Sequence, residues 1–187
     1  LGSSNGICLP LKSKNFEVAL RESVVEIIRK TSADLPQDVV KAIQENSKHE
    51  AEQSRGRYAM DIIQKNIGLA KLKSQPLCQD TGSILFFIHY PSKVDQTVIE
   101  KVVKTAVKAA TKKGFLRQNS VDSITGKNSG DNVGPGTPTF HFHPWKKDSF
   151  DIRLILKGGG CENVGAQYSL PDGRVGAGRD LEGVKKC

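Results

Sequence analysis

The chain has 187 residues, enough for one ordinary domain with a real core, and its 37% hydrophobic and 26% charged residues are a usual soluble balance. No apolar run reaches the roughly 18–20 residues of a membrane span, and residues 1–10 show no basic stretch followed by an apolar core, so no secretory signal is visible. The formal charge of +8 does not mark a nucleic-acid binder, because the lysines are spread along the chain and aromatic residues are only 6%.

Residues 1–14, rich in Gly, Ser and Lys, read as an irregular leader, and residues 15–187 as one domain. Phe16, Leu20, Val24, Ile27 and Ile28 recur at helical spacing and predict a helix over residues 15–31. A second helix is expected to start near Pro36, a residue favoured in a first turn, with Val39, Val40 and Ile43 facing inward. A third is expected over residues 50–72, with Ala59, Ile62, Ile63, Asn66, Ile67 and Ala70 on one side. A fourth, over residues 95–113, ends at Gly114 as helix C-termini often do. Its Lys101, Lys104, Lys108 and Lys112 stand opposite Val98, Val102 and Val103, the pattern of a solvated face.

Between the helices the period shortens to two. Residues 84–89, 139–143 and 150–156 predict strands, the last with Phe150, Ile152, Leu154 and Leu156 pointing one way. Residues 128–137, Asn-Ser-Gly-Asp-Asn-Val-Gly-Pro-Gly-Thr, form a loop too long for a simple turn, and such loops in compact domains are usually functional. The fold class implied is mixed α/β (α+β): an N-terminal helical layer on a mixed β-sheet, with long glycine-rich loops carrying the unusual residues.

Three segments could carry chemistry. Pro76-Leu77-Cys78-Gln79-Asp80-Thr81-Gly82 precedes a strand and packs a thiol, an amide, a carboxylate and a hydroxyl into one turn, although Asp and Gly are also plain turn residues. Lys157-Gly158-Gly159-Gly160-Cys161-Glu162-Asn163 lets backbone N–H groups approach an anion, or is simply a flexible link. It ends neither in GKS/T nor as GxGxxG, so a nucleotide loop is not indicated. Arg117, just past a helix end, could form two parallel hydrogen bonds to a carboxylate, or be an ordinary surface arginine. The cysteines at 8, 78, 161 and 187 form no CxxC pair and suggest reduced thiols in a cytoplasmic setting.

In this order the segments resemble the class I, iron–sulfur fumarate hydratases and the α subunits of L-tartrate dehydratases. The matching marks are Cys78-Gln79-Asp80-Thr81-Gly82, Gly114-Phe115-Leu116-Arg117, and Asn132-Val133-Gly134-Pro135-Gly136-Thr137-Pro138 leading into His141-Phe142-His143. Lys157-Gly158-Gly159-Gly160 with Glu162-Asn163, and Leu170-Pro171, complete them. The resemblance covers residues 15–187.

The resemblance implies a hydro-lyase subunit that reversibly hydrates fumarate to L-malate through a [4Fe–4S] cluster, with one iron left open to the substrate. It implies Cys78 as a cluster ligand and Gln79, Asp80, Arg117 and Gly160 as contacts to the dicarboxylate, Asp80 also serving in catalysis. Dehydration of L-tartrate, or a cluster-free binding protein of the same fold, are the alternatives. The family's other cluster cysteines, one in a Cys-Pro-Pro motif, do not occur here, and neither Cys161 nor Cys187 matches a ligand position. The domain therefore reads as truncated at its C-terminus, inactive alone, and completed by a β subunit or C-terminal domain in an oligomer. Neither nucleic acid nor membrane is an expected partner.

Overall fold

The computed structural model describes residues 16–78, 80–159 and 168–187. Helix α1 (Phe16–Ala33) buries Leu20, Val24 and Ile28 completely, the four-residue spacing that places them on one stripe. Helix α4 (Gln96–Lys112) buries Ile99, Val102, Val103, Ala106, Val107 and Ala110, and packs along α1. Asp95 caps its start, Oδ1 accepting the Thr97 N–H at 2.8 Å. Gly114, at φ +78°, ends it, and Phe115 N–H returns to the Ala110 carbonyl.

The two helices cover one face of a three-stranded sheet ordered β2-β1-β3. Strand β1 (Ser83–Pro91) is central, parallel to β2 (Thr139–Trp145) and antiparallel to β3 (Asp151–Lys157). The parallel pair requires a crossover, which α4 and the long loop after it supply. Alternation selects Ile84, Phe86, Ile88 and Tyr90 for the core, with Phe150 and Ile152 beside them. The fold is thus the expected mixed α/β class, with strands β2 and β3 close to their predicted limits.

On the opposite face Phe87 stacks on His141 with centroids 4.5 Å apart, and His89 on His143 at 4.9 Å. His141 and His143 therefore lie on the edge strand β2, on the sheet face opposite α1 and α4.

Helices α2 (Gln37–His49) and α3 (Arg55–Lys73) depart from expectation. Among the described residues they pack mainly on each other, and α3 makes a smaller contact with α1. Val39 is exposed, with Val40 and Ile43 only half-buried. In α3 only Ala70 is buried, while Ile62 and Ile63 are 48% and 44% exposed. Helical spacing identifies an apolar stripe but not what covers it. Helix α3 also begins at Arg55 rather than near residue 50, because Ser54 Oγ accepts the Arg57 N–H at 2.9 Å and sets the start there. A short last helix, α5 (Leu181–Lys186), is capped by Asp180.

The entry to β1 depends on one glycine. Gly82 has φ +68°, and a Cβ there would lie 2.0 Å from the Lys157 carbonyl oxygen on β3. Both the left-handed conformation and the cross-strand approach exclude a side chain. Gly82→Ala should destabilise the domain by roughly 2–4 kcal/mol, seen as a lowered thermal midpoint. An unchanged midpoint would show that the β1–β3 end accommodates a methyl group.

Candidate functional site

The loop before β1, the segment after α4, the start of β2 and the loop after β3 meet at one end of the sheet. Asp80 ties them together. Its Oδ1 accepts the Gly82 N–H at 2.8 Å and the Asn119 side-chain amide at 3.0 Å; its Oδ2 accepts the Gly159 N–H at 3.2 Å. The carboxylate thus joins residues 39 and 79 positions away in sequence. Gly158 allows the approach, since a Cβ there would stand 3.2 Å from Asp80 Oδ2.

Asp80 lines two depressions. A pocket of about 450 Å³ is bordered by Asp80, Ser83, Asn119, Ser120, Thr137 and Lys157, with Gly82, Gly136 and Gly159 as bare backbone. That size suits a small polar molecule. A smaller one, about 150 Å³, is lined by Cys78, Asp80, Thr81, Thr31, Ser32 and Leu156. Cys78 is exposed, and its Sγ accepts the Asp80 N–H at 3.5 Å. The thiol and the polar pocket therefore share the Asp80 side chain as their boundary.

Arg117 is brought to the same region through its backbone. Its N–H donates to Thr81 Oγ1 at 2.7 Å, and Thr81 is buried. The guanidinium is exposed and, among the described residues, forms no ion pair. Arg117 does not line the larger pocket itself; Asn119 and Ser120, two and three residues later, do. Gln79, Gly160, Cys161, Glu162 and Asn163 lie outside the described residues, as does the leader over residues 1–14.

Three residues to which sequence reasoning gave no role are central to this geometry. Thr81 carries the Arg117 backbone, Asn119 bridges to Asp80, and Asn132 anchors the segment between them. Thr81 and Asn132 stand in segments marked as unusual and Asn119 two residues past Arg117, but only spatial pairing reveals what their side chains hold.

The loop over residues 121–133 is organised by carboxylates. The backbone N–H groups of Thr125 and Ile124 hold Asp122 below the usual carboxylate range. Asp131 is pulled upward by partial burial, but hydrogen bonds from Lys108 and Val133 outweigh this and leave it lowered. A depressed folded pKa gives stability that is complete above the unfolded value, about 3.9, and lost as pH falls through the folded one. Acidification below about pH 4 should therefore loosen this loop, measurable as faster amide exchange at Ile124, Thr125 and Val133 once the intrinsic pH dependence is corrected for. Corrected protection that stayed constant down to about pH 2 would contradict those pairings.

The family model described as fumarate hydratase (fumerase) matches residues 21–187, so the chain belongs to that family. Among curated relatives, a Geobacillus stearothermophilus protein named as a fumarate hydratase class I is 48% identical over 171 residues, which are 90% of this chain and 33% of that protein. The L(+)-tartrate dehydratase subunit alpha of Escherichia coli K12 is 32% identical over 154 residues, 81% of this chain and 50% of the subunit. A Methanocaldococcus jannaschii protein named for the same subunit is 32% identical over 173 residues, covering 58% of its length. The chain thus spans between a third and about three-fifths of these relatives.

An iron–sulfur cluster is held by converging thiolates. Cys78 fits one ligand: an exposed thiol, on a loop, lining a small pocket with Asp80. Among the described residues no group of three or more His, Cys, Asp or Glu side chains converges to hold metal. Of the ligands such a cluster needs, the described residues place the Cys78 thiol, exposed and beside Asp80, where it could hold one corner.

Proposed function

We propose that this chain forms part of a hydro-lyase that reversibly hydrates fumarate to L-malate in the cytoplasm, with Cys78 as one ligand of a [4Fe–4S] cluster. The observation that carries the reading is Asp80, a carboxylate that borders both the Cys78 pocket and the larger polar pocket while binding Asn119 and Gly159. Family membership and the 48% identity to a protein named as a fumarate hydratase support the choice of fumarate.

In this reading Arg117 pairs with one substrate carboxylate and sets its orientation. The Gly160 backbone N–H receives the other carboxylate, the neighbouring Gly159 N–H being held by Asp80, and Gln79 adds an amide contact. Asp80 accepts a hydrogen bond from the hydroxyl of malate, placing the C–O bond that breaks in dehydration toward the Cys78 side. When bound, the cluster supplies a Lewis-acidic iron that eases departure of that hydroxyl. In the same direction the adjacent carbon loses a proton to a base outside this chain. A β subunit or a further domain provides that base and the remaining cluster ligands, in an oligomeric enzyme. The relatives named as tartrate dehydratase α subunits favour L-tartrate as the second substrate to examine.

The experiment is anaerobic reconstitution of the complete protein and its partner with iron and sulfide, followed by the loss of fumarate absorbance. Fumarate hydration with kcat/KM above that for L-tartrate dehydration is the expected result. A brown, metal-loaded protein that turned over L-tartrate but left fumarate unchanged would reassign the substrate. A colourless protein without either activity would leave a binding protein of the same fold.

A further inference from the structure

We propose that Asn132 is a positioning residue, whose buried side-chain amide fixes the segment presenting Arg117 and Asn119 to the dicarboxylate; this rests on the fumarate-hydrating reading of the site. Asn132 is 1% exposed, and its φ of +61° puts it in the left-handed region that asparagine tolerates better than most residues. Its Nδ2 donates to the Arg117 carbonyl at 2.7 Å and to Thr111 Oγ1 at 3.1 Å. Its Oδ1 accepts from the backbone N–H of Asn119 at 3.0 Å and of Ser120 at 3.2 Å. An asparagine amide has two donor hydrogens and two acceptor lone pairs, and all four are used.

The geometry explains why such a group stands there. The Arg117 N–H is taken by Thr81 Oγ1 and its carbonyl by Asn132, so the backbone is fixed on both sides of the arginine Cα. Two residues further, the same amide holds Asn119, whose side chain donates to Asp80. Thr111 joins the assembly to the last turn of α4, since its hydroxyl also bonds the Val107 carbonyl. An exposed arginine on a free loop would lose conformational freedom on every binding event; one on a fixed backbone loses less. A fully satisfied buried network of this kind specifies one arrangement.

Two variants separate positioning from mere folding. Asn132→Gly keeps the positive φ without strain and deletes the amide. Asn132→Asp keeps the shape and the acceptor edge but turns an oxygen toward the Arg117 carbonyl. In the full-length protein with its partner, Asn132→Gly should speed amide exchange at Asn119 and Ser120 about tenfold or more. Asn132→Asp should raise the KM for fumarate about tenfold or more while kcat changes less and iron content per chain stays at the parent level. Parent-like exchange in the first variant, or a parent-like KM in the second, would overturn the proposal. A parent protein that neither hydrates fumarate nor binds L-malate by calorimetry would remove the functional reading and this inference together. An active parent beside an indifferent Asn132→Asp would remove only the inference.

Discussion

Cys78→Ser, made in the complete protein and purified without oxygen, should lose most of its iron and sulfide and at least about a thousandfold of its fumarate hydration. A metal-assisted departure of hydroxide is worth several kcal/mol, and each 1.36 kcal/mol is a factor of about ten in rate. The fold should survive the change. Cys78 is exposed, among the described residues its thiol makes only the 3.5 Å contact with the Asp80 N–H, and it lies outside the hydrophobic core cluster. The thermal midpoint of the cluster-free parent and that of the cluster-free variant should therefore agree. A Cys78→Ser protein retaining parent levels of iron and sulfide would remove position 78 from the ligand set.

Asp80→Asn is the second large expectation, and its cause is different. The amide can still offer one oxygen to the Gly82 N–H and to Asn119, but its Nδ2 would face the Gly159 N–H, donor against donor. One lost hydrogen bond between these loops costs roughly 1–3 kcal/mol of local stability. The catalytic loss should be larger, about 10²–10⁴ in kcat/KM, the range typical of a group that handles a proton or hydroxyl at the reacting centre. Cluster content should remain close to that of the parent, because the Cys78 thiol is untouched. Steady-state kinetics with fumarate and L-malate, beside iron analysis, distinguish this from Cys78→Ser. Parent-like kinetics would make Asp80 a structural clasp only.

The contrast between these residues shows how far sequence reading reaches. Leu20, Val24 and Ile28 reveal their helix and its buried stripe because period and burial coincide there. Ile84, Phe86 and Ile88 reveal a strand, but not that β1 lies between β2 and β3, nor which of its two pairings is the parallel one. That order depends on contacts distant in sequence, which alternation does not encode. In α3, Ile62 and Ile63 repeat like core residues and yet are half exposed, since periodicity is indifferent to what lies opposite.

At the site, Cys78, Asp80 and Arg117 drew attention through chemical type and motif, and the structure brings Asp80 beside the Cys78 pocket and the Arg117 segment. Thr81 and Asn132 could not be singled out in that way. A threonine in a turn and an asparagine in a glycine-rich loop are common, and their importance comes from being 5% and 1% exposed with partners 36 and 15 residues away. Buried polar groups of this kind become visible only once the chain has folded around them.

The most direct measurement is Mössbauer spectroscopy of the ⁵⁷Fe-reconstituted full-length protein with its partner, recorded with and without L-malate. If Cys78 and two further thiolates hold a [4Fe–4S] cluster beside the Asp80 pocket, about one iron in four should change its spectrum on adding malate, while the other three stay as they were. A cluster whose irons all ignore malate, or a protein that takes up no iron at all, would contradict it.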